Sequence, residues 1–487
     1  MPPPNILIFM TDQQRGCTVL PEDPTQTPVL DRFRQEALTF DSAYCPSPHC
    51  CPSRTSFFTG LYPSEHGVWN NVKVPNALSR GPVEGTRYWF EDLRDAGYSL
   101  DWDGKWHVDT KAAPADLGWQ AGISTAIGSK VMGMDWDKYR DLARQPAATP
   151  EREPGQIVRP GYSPYRHYDT NENPFNDGGI VDRAIEAIKA RTGTETSWCQ
   201  YIGTLGPHDP YIPPQRFLDL YDPAEIDLPP SFDDRMQDKP GFYRRTRGIF
   251  DQLSQDEHRE AIRHYRAFCS YEDHLFGKVL EALEASGQAD NTVVIYMSDH
   301  GDYLGDHGLW CKGLPCFEGA YHVPLIVRWP GVTDRPRRES AFVSLTDFAP
   351  TFLELAGLHA NRAFSGQSLV PFLKGETPTL WRDAVFTQSN GNELYGIQRS
   401  IRTREWKYVY NGFDFDELYD LRNDPHETKN LASDPDYAAT VRALCQRLWR
   451  FGAAHGENAV NDYIMVGFAP YGPAVAFEEE ADCGQIQ

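Results

Sequence analysis

Residues 50–60 read Cys50-Cys51-Pro52-Ser53-Arg54-Thr55-Ser56-Phe57-Phe58-Thr59-Gly60. Pro52 suits the first turn of a helix, where a missing N–H costs nothing. A helix beginning there directs unpaired N–H groups and the positive end of its dipole at whatever lies beside Cys50. Arg54 is four residues on and shares the Cys50 face of such a helix. A nucleophile, a helix N-terminus and a guanidinium thus converge on one point, which describes an oxyanion site. The alternative reading of the same spacing is a buried cysteine pair ahead of an ordinary helix.

Outward from this stretch, short apolar runs alternate with amphipathic patterns. Residues 5–10 form an apolar run that leads into Thr11-Asp12, residues 197–205 form another, and 292–298 (TVVIYMS) leads into Asp299-His300. Such runs are predicted to be buried parallel strands with polar residues at their carboxyl ends. Helical spacing covers roughly 28–37, 88–96, 179–190 and 255–285. This alternation predicts an α/β fold built on a large, mainly parallel sheet flanked by helices, with ligands bound beyond the carboxyl ends of the strands. After Gly375, β-like runs at 384–388 and 406–410 and a helix over about 437–451 predict a smaller α+β subdomain. The chain therefore divides into residues 1–375 and 376–487.

Several polar groups sit where that architecture would gather them. Asp12-Gln13 and Asp299-His300 end two strands and supply oxygen and imidazole donors. Gly104-Lys105-Trp106-His107 places a cation and a base two residues apart, facing one side if extended. Gly206-Pro207-His208-Asp209-Pro210 follows the run at 197–205, and Lys312 closes Gly308-Leu309-Trp310-Cys311-Lys312. Each of these taken alone also describes an ordinary turn or a solvated side chain.

The stretch at 50–60 resembles the signature of type I sulfatases of the alkaline-phosphatase superfamily, C-x-P-S-R followed by T-G. In that family the first Cys is oxidised to formylglycine by a formylglycine-generating enzyme. Register selects Cys50, because it alone has Pro two places on and Arg four places on. The remaining motifs occur in family order. The resemblance implies one divalent metal ion held by Asp12, Gln13, Cys50, Asp299 and His300. It implies Lys105, His107 and Lys312 around the sulfate, Arg54 beside the nucleophile, and His208 near the leaving-group oxygen. Asn71 matches a sulfate- or metal-facing residue loosely, while His66 and His322 read as structural. Gln13 and His300 replace the frequent Asp and Asn, as in the branch with phosphonate monoester hydrolases and choline sulfatase. The nitrogen donor shifts preference from a purely hard cation toward Mn²⁺, with Ca²⁺ the other candidate.

The resemblance implies hydrolysis of a small carbohydrate, aryl or alkyl sulfate through the hydrated aldehyde. A phosphonate monoester or phosphodiester hydrolase with the same nucleophile is the alternative, and the Lys105/His107 pair favours the sulfatase. A third reading is a binding protein with an unmodified Cys50.

Composition sets outer bounds. The net charge of −22 excludes a nucleic-acid partner, which needs a basic surface. The ten cysteines show no metal-ribbon spacing, and Cys199, Cys269 and Cys445 read as buried hydrophobes. Residues 1–12 lack a basic leader, and no apolar run approaches the ~20 residues of a membrane span, so a cytoplasmic location is expected. Residues 139–178 and 222–245 read as long loops over the site. The stretch from about 456 to 487 reads as an extended arm. Its apolar residues (463–466, Phe468, Tyr471 and Phe477) need a surface in this chain or in another subunit of a homo-oligomer.

Overall fold

The computed structural model describes residues 3–124, 152–157, 163–167, 171, 173–392, 394–460 and 472–477. The expected α/β architecture is present. Strand β1 (Asn5–Thr11) is buried at every position and pairs in parallel with β6 (Trp198–Gly203) on one side and β7 (Thr292–Ser298) on the other. Continuous burial on both faces explains why these runs are mainly apolar rather than alternating, with Gln200 the polar residue inside β6. The sheet has eight strands. In addition to these three it contains β2 (Leu38–Phe40), β4 (Ser99–Gly104), β5 (Gln120–Ser124), β8 (Leu325–Arg328) and β9 (Arg337–Glu339), in the order β5-β4-β6-β1-β7-β8-β2-β9. Only β8 runs against its neighbours, pairing antiparallel with β7 and β2.

Strand alternation assigns the two faces. Phe9 and Tyr296 stack together and pack on Phe276 of the helix Gln255–Ala285. Met10 points the other way, where the Tyr201 hydroxyl reaches its sulfur at 3.2 Å. There Tyr201 stacks on Trp102, with ring centroids 4.0 Å apart, and Phe58 of the helix Cys50–Thr59 packs against both.

All ten residues of that helix are buried, polar ones included. Thr55 and Thr59 donate to the carbonyls four residues back, and Ser56 bonds to His66. A helix covered all round needs no amphipathic stripe, and its sequence has none. Gly60 ends it in the left-handed conformation, φ 74°, where a side chain would be strained.

The C-terminal sheet is an antiparallel meander, β11 (Ala384–Ser389), β12 (Gln398–Thr403), β13 (Trp406–Asn411) and β14 (Glu417–Asp420), numbered after the short β3 (Ala43–Tyr44) and β10 (Val343–Ser344). The helix Ala438–Ala454 packs on it through Val441, Leu444, Leu448 and Trp449, and Val475 joins that cluster. Residues 461–471 and 478–487, most of the expected arm, lie outside the described residues, as does most of 139–178. Residues 241–245 are helical, not loop: the helix Gly241–Phe250 buries Tyr243, Arg247 and Phe250 on one face, a spacing that its arginines obscure. Cys199, Cys269 and Cys445 are buried. Among the described residues, no helix is long and apolar enough to cross a membrane.

Candidate active site

The carboxyl ends of β1, β4, β6 and β7 meet the N-terminus of the helix Cys50–Thr59. Asp12 and Asp299 follow β1 and β7 directly, Lys105 follows β4, and the 204–209 turn follows β6. Asp12, Cys50, Asp299 and His300 each offer a ligand atom, all within 4.8 Å of one another and all on buried side chains. His300 Nδ1 faces the Gly301 carbonyl at 2.9 Å, which makes Nδ1 the donor. The Nε2 lone pair is then turned toward Cys50 Sγ at 3.2 Å and Asp12 Oδ1 at 3.5 Å. A second ring nitrogen fixed by a backbone carbonyl is the usual arrangement of a metal-bound histidine. Two carboxylates, this imidazole and the position-50 side chain form a divalent-metal site, and the donor set fits such an ion. The Cys50 sulfur occupies the place that a formylglycine oxygen takes after conversion.

The two adjacent cysteines have opposite surroundings. Burial opposes ionisation of Cys50, yet Lys105, Lys312 and His300 hold its thiol well below the ordinary range. His107 bonds to the same thiol. Cys51 faces an apolar niche with Val68 and Val72, where burial raises its pKa and its sulfur accepts from Val72 N at 3.3 Å.

Two buried cations brace the carboxylates. Arg54 donates from Nε to Asp299 Oδ2 at 2.7 Å and from Nη1 to the Tyr201 hydroxyl at 2.8 Å and the Lys105 carbonyl at 3.0 Å. Its Nη2 lies 3.5 Å from Asp12 Oδ2, and Lys105 Nζ is bonded to that same oxygen. Burial disfavours the Lys105 ammonium, but Asp12 and Cys50 raise its pKa. Gly104 has φ +100°, and a Cβ there would strike the Gly203 carbonyl, so glycine alone lets β4 turn and deliver Lys105 to Asp12. His107 reaches Cys50 through a left-handed backbone, φ 54°, rather than by the extended alternation expected for 104–107.

The opposite wall is a chain of polar contacts. Lys312 Nζ lies 2.6 Å from His208 Nε2 and donates to Gln13 Oε1. The Gln13 amide donates to Asp209 Oδ1 at 2.9 Å and Asp302 Oδ2 at 2.5 Å. Its side chain thus serves this chain of contacts, while its backbone N donates to Asp299 Oδ1 at 3.1 Å. Asn71 Oδ1 accepts from Cys51 N at 3.1 Å, capping the nucleophile helix. His66 is held by Ser56 and Val68, and His322 by the Asp41 carbonyl, both as packing residues.

Three contributors escaped the sequence reading. Asp302 accepts from Gln13 and, at 2.6 Å, from the Tyr211 hydroxyl, and burial raises its pKa to about 6. It lies three residues beyond Asp299, inside the same turn, and that proximity was the available signal. Tyr201, in mid-strand, and His49, whose Nδ1 is buried without a partner among the described residues, carried no signal beyond their neighbours.

Comparison with known proteins accords with this geometry. The sulfatase family profile matches residues 4–358, and the profile for the C-terminal part of N-sulphoglucosamine sulphohydrolase matches 305–454. A choline-sulfatase from Rhizobium meliloti is 29% identical over 459 residues, covering 89% of this chain and 83% of the relative. An N-acetylglucosamine-6-O-sulfatase from Bacteroides thetaiotaomicron is 26% identical, covering 96% and 89%. The crystal structure of a phosphonate monoester hydrolase from Agrobacterium radiobacter superposes with a TM-score of 0.76 at 24% identity, covering 95% and 98%. With a buried cluster of metal-ligating side chains at the strand ends, and a poised cysteine at position 50, the chain belongs to the formylglycine-dependent sulfatases of the alkaline-phosphatase superfamily.

Proposed function

We propose that this protein hydrolyses a small sulfate ester to an alcohol and inorganic sulfate, with formylglycine at position 50 as nucleophile. The observation that carries this is the position of the Cys50 side chain, shared by two carboxylates, His300, Lys105, His107 and Lys312. Because Cys50 is only 1% exposed, conversion by a generating enzyme must act before the chain closes over it.

Asp12, Asp299, His300 and the position-50 oxygen would hold the metal, with Gln13 beside them. A divalent ion there supplies Lewis acidity to the nucleophile and to the sulfonyl oxygens. In the hydrated aldehyde, Asp299 takes the proton of one hydroxyl. That oxygen attacks sulfur in line as the sulfur–alkoxide bond breaks. Lys105 and Lys312 oppose the sulfonyl charge, and Arg54, with no access to solvent, keeps Asp299 and Asp12 in place. Lys312 donates to His208 Nε2, so the pair shares the proton that passes to the leaving oxygen, while His208 Nδ1 is fixed by the Asp209 carbonyl at 2.6 Å. His107 then removes the proton from the second hydroxyl. The carbon–oxygen double bond re-forms, sulfate departs, and water restores the hydrate.

Sulfate release from a panel of aryl, alkyl and sugar sulfates, run with a phosphonate monoester arm, tests this reading. Intact mass on the same sample reports Cys50 conversion. Turnover of the phosphonate alone, by converted protein, would assign the alternative chemistry.

A further inference from the structure

A cleft of about 780 Å³ opens between the helix Gly241–Phe250, the segment after Lys312 and the loops of the C-terminal sheet. Leu314, Leu394, Tyr395 and Phe413 give it apolar walls. Two links tie it to the catalytic centre, whose own residues do not line it. Leu314 is two residues from Lys312, so this wall begins within about 7 Å of the Lys312 backbone. The loop that carries Leu394 and Tyr395 is tied to the nucleophile helix: Asn392 Oδ1 accepts from Asn71 N at 3.1 Å, and Asn71 Oδ1 accepts from Cys51 N at 3.1 Å.

The same loop is anchored at its far side. Asn76 Nδ2 donates to the Asn392 carbonyl at 2.9 Å, and the Tyr395 hydroxyl donates to the Asn76 carbonyl. Gly396 brings it against Phe413 and Leu314, with no room for a Cβ on the Phe413 side. Yet Leu394 is 55% exposed and Tyr395 51% exposed, and Ile397 and Phe415 beside them are open as well. Half of the exposed large hydrophobic residues among the described residues therefore gather on these loops, which is a patch rather than scatter.

The charges lining the cleft are unequal. Asp414 already accepts from Gly241 N and Phe415 N, each at 2.9 Å. Arg244 Nη1 is held by the carbonyls of Met236 and Lys239, at 3.0 and 2.8 Å. Arg245 makes no hydrogen bond or ion pair among the described residues, although the chain carries a net charge of −22. An apolar wall with one uncommitted guanidinium suits a ring whose face is apolar and whose edge carries an anion.

We infer that this cleft seats the alcohol portion of the substrate, and that it takes a sugar or aryl ring bearing a second anionic group, a carboxylate or a further sulfate. Arg245 pairs with that group while Tyr395 and Phe413 pack on the ring. The inference rests on the sulfatase reading above and adds the substrate class.

The test uses two matched pairs: para-carboxyphenyl sulfate with its methyl ester, and a disulfated with a monosulfated hexosamine. The wild-type protein is expected to favour the more anionic member by about tenfold in kcat/KM, as one charge-assisted pair implies. Arg245→Gln should erase that preference, mainly through KM, and Tyr395→Ala should raise KM for both members. The pair showing the larger effect distinguishes an aryl from a sugar substrate. Calorimetric binding of the desulfated products, para-hydroxybenzoate and hexosamine sulfate, to wild type and Arg245→Gln needs neither Cys50 conversion nor turnover. It therefore separates failure of the cleft from failure of the sulfatase reading. Equal binding by wild type of each product and its less anionic counterpart (methyl para-hydroxybenzoate, unsulfated hexosamine), or equal shifts of both in Arg245→Gln, would overturn the inference.

Discussion

Arg54 Nε donates to Asp299 Oδ2 over 2.7 Å, and neither side chain touches solvent. The same guanidinium bonds the Tyr201 hydroxyl and the Lys105 carbonyl, so one planar fork joins the ends of β4 and β7 and the middle of β6 to the nucleophile helix. Arg54→Ala leaves buried carboxylates short of a counter-charge and is expected to cost about 3–5 kcal/mol of stability. Arg54→Lys keeps the charge but not the fork, so kcat should fall about a hundredfold with a smaller loss of Tm. Calorimetric unfolding beside steady-state kinetics checks both. Near-native kcat in Arg54→Lys would reduce Arg54 to a simple counter-ion.

Cys50→Ala should abolish sulfate-ester turnover, whereas Cys51→Ala should keep most of it and lose about 1 kcal/mol from its small apolar niche. Kinetics on both variants, with circular dichroism to confirm folding, decides the matter. Equal loss in the two would mean that the wrong cysteine has been identified.

Chelation should remove activity, and added Mn²⁺ or Ca²⁺ should restore it. His300→Asn replaces the nitrogen donor by a hard oxygen and should move the restored activity toward Ca²⁺. Activity titrated against each ion, with metal content measured on the same samples, gives the answer. Full activity in a demonstrably metal-free preparation would exclude the metal.

Asp273, in the helix Gln255–Ala285, accepts from Val29 N at 3.0 Å and Leu30 N at 2.7 Å, and burial raises its pKa to about 7. The folded state therefore holds this proton more tightly than the unfolded chain, whose carboxyl titrates near 4. The stability gained from protonation is complete below about pH 4 and is lost as pH rises to about 7. Asp273→Asn lacks the titration. Its deficit relative to wild type should be largest in acid and shrink steadily between those limits. Denaturant unfolding of both proteins at a series of pH values tests this, and a pH-independent difference would count against it.

Local signals were legible in the chain. The helix Gln255–Ala285 opens with Ser254 accepting from Glu257 N at 3.2 Å and Glu257 accepting from Ser254 N at 2.7 Å, a reciprocal cap that its sequence announces. Strands β1, β6 and β7 stood out as apolar runs because both of their faces are covered. The helix Gly241–Phe250 did not, because its arginines mask a three- and four-residue spacing, and Arg247 is itself buried against the His307 and Phe232 carbonyls.

The sequence by itself determined the sheet class, the identity of the nucleophile by register, and the residues gathered at the strand ends. Tertiary structure alone decided what those residues do to one another. Asp12 and Asp299 are 287 positions apart in the chain, and only the parallel pairing of β1 with β7 sets them side by side. That juxtaposition turns Arg54 from a candidate oxyanion group into the brace of two carboxylates, and gives Gln13 partners in Asp209, Asp302 and Lys312. It also makes two adjacent cysteines unlike. Successive side chains on a helix point about 100° apart, so Cys50 meets the charges at the sheet edge while Cys51 turns into an apolar niche.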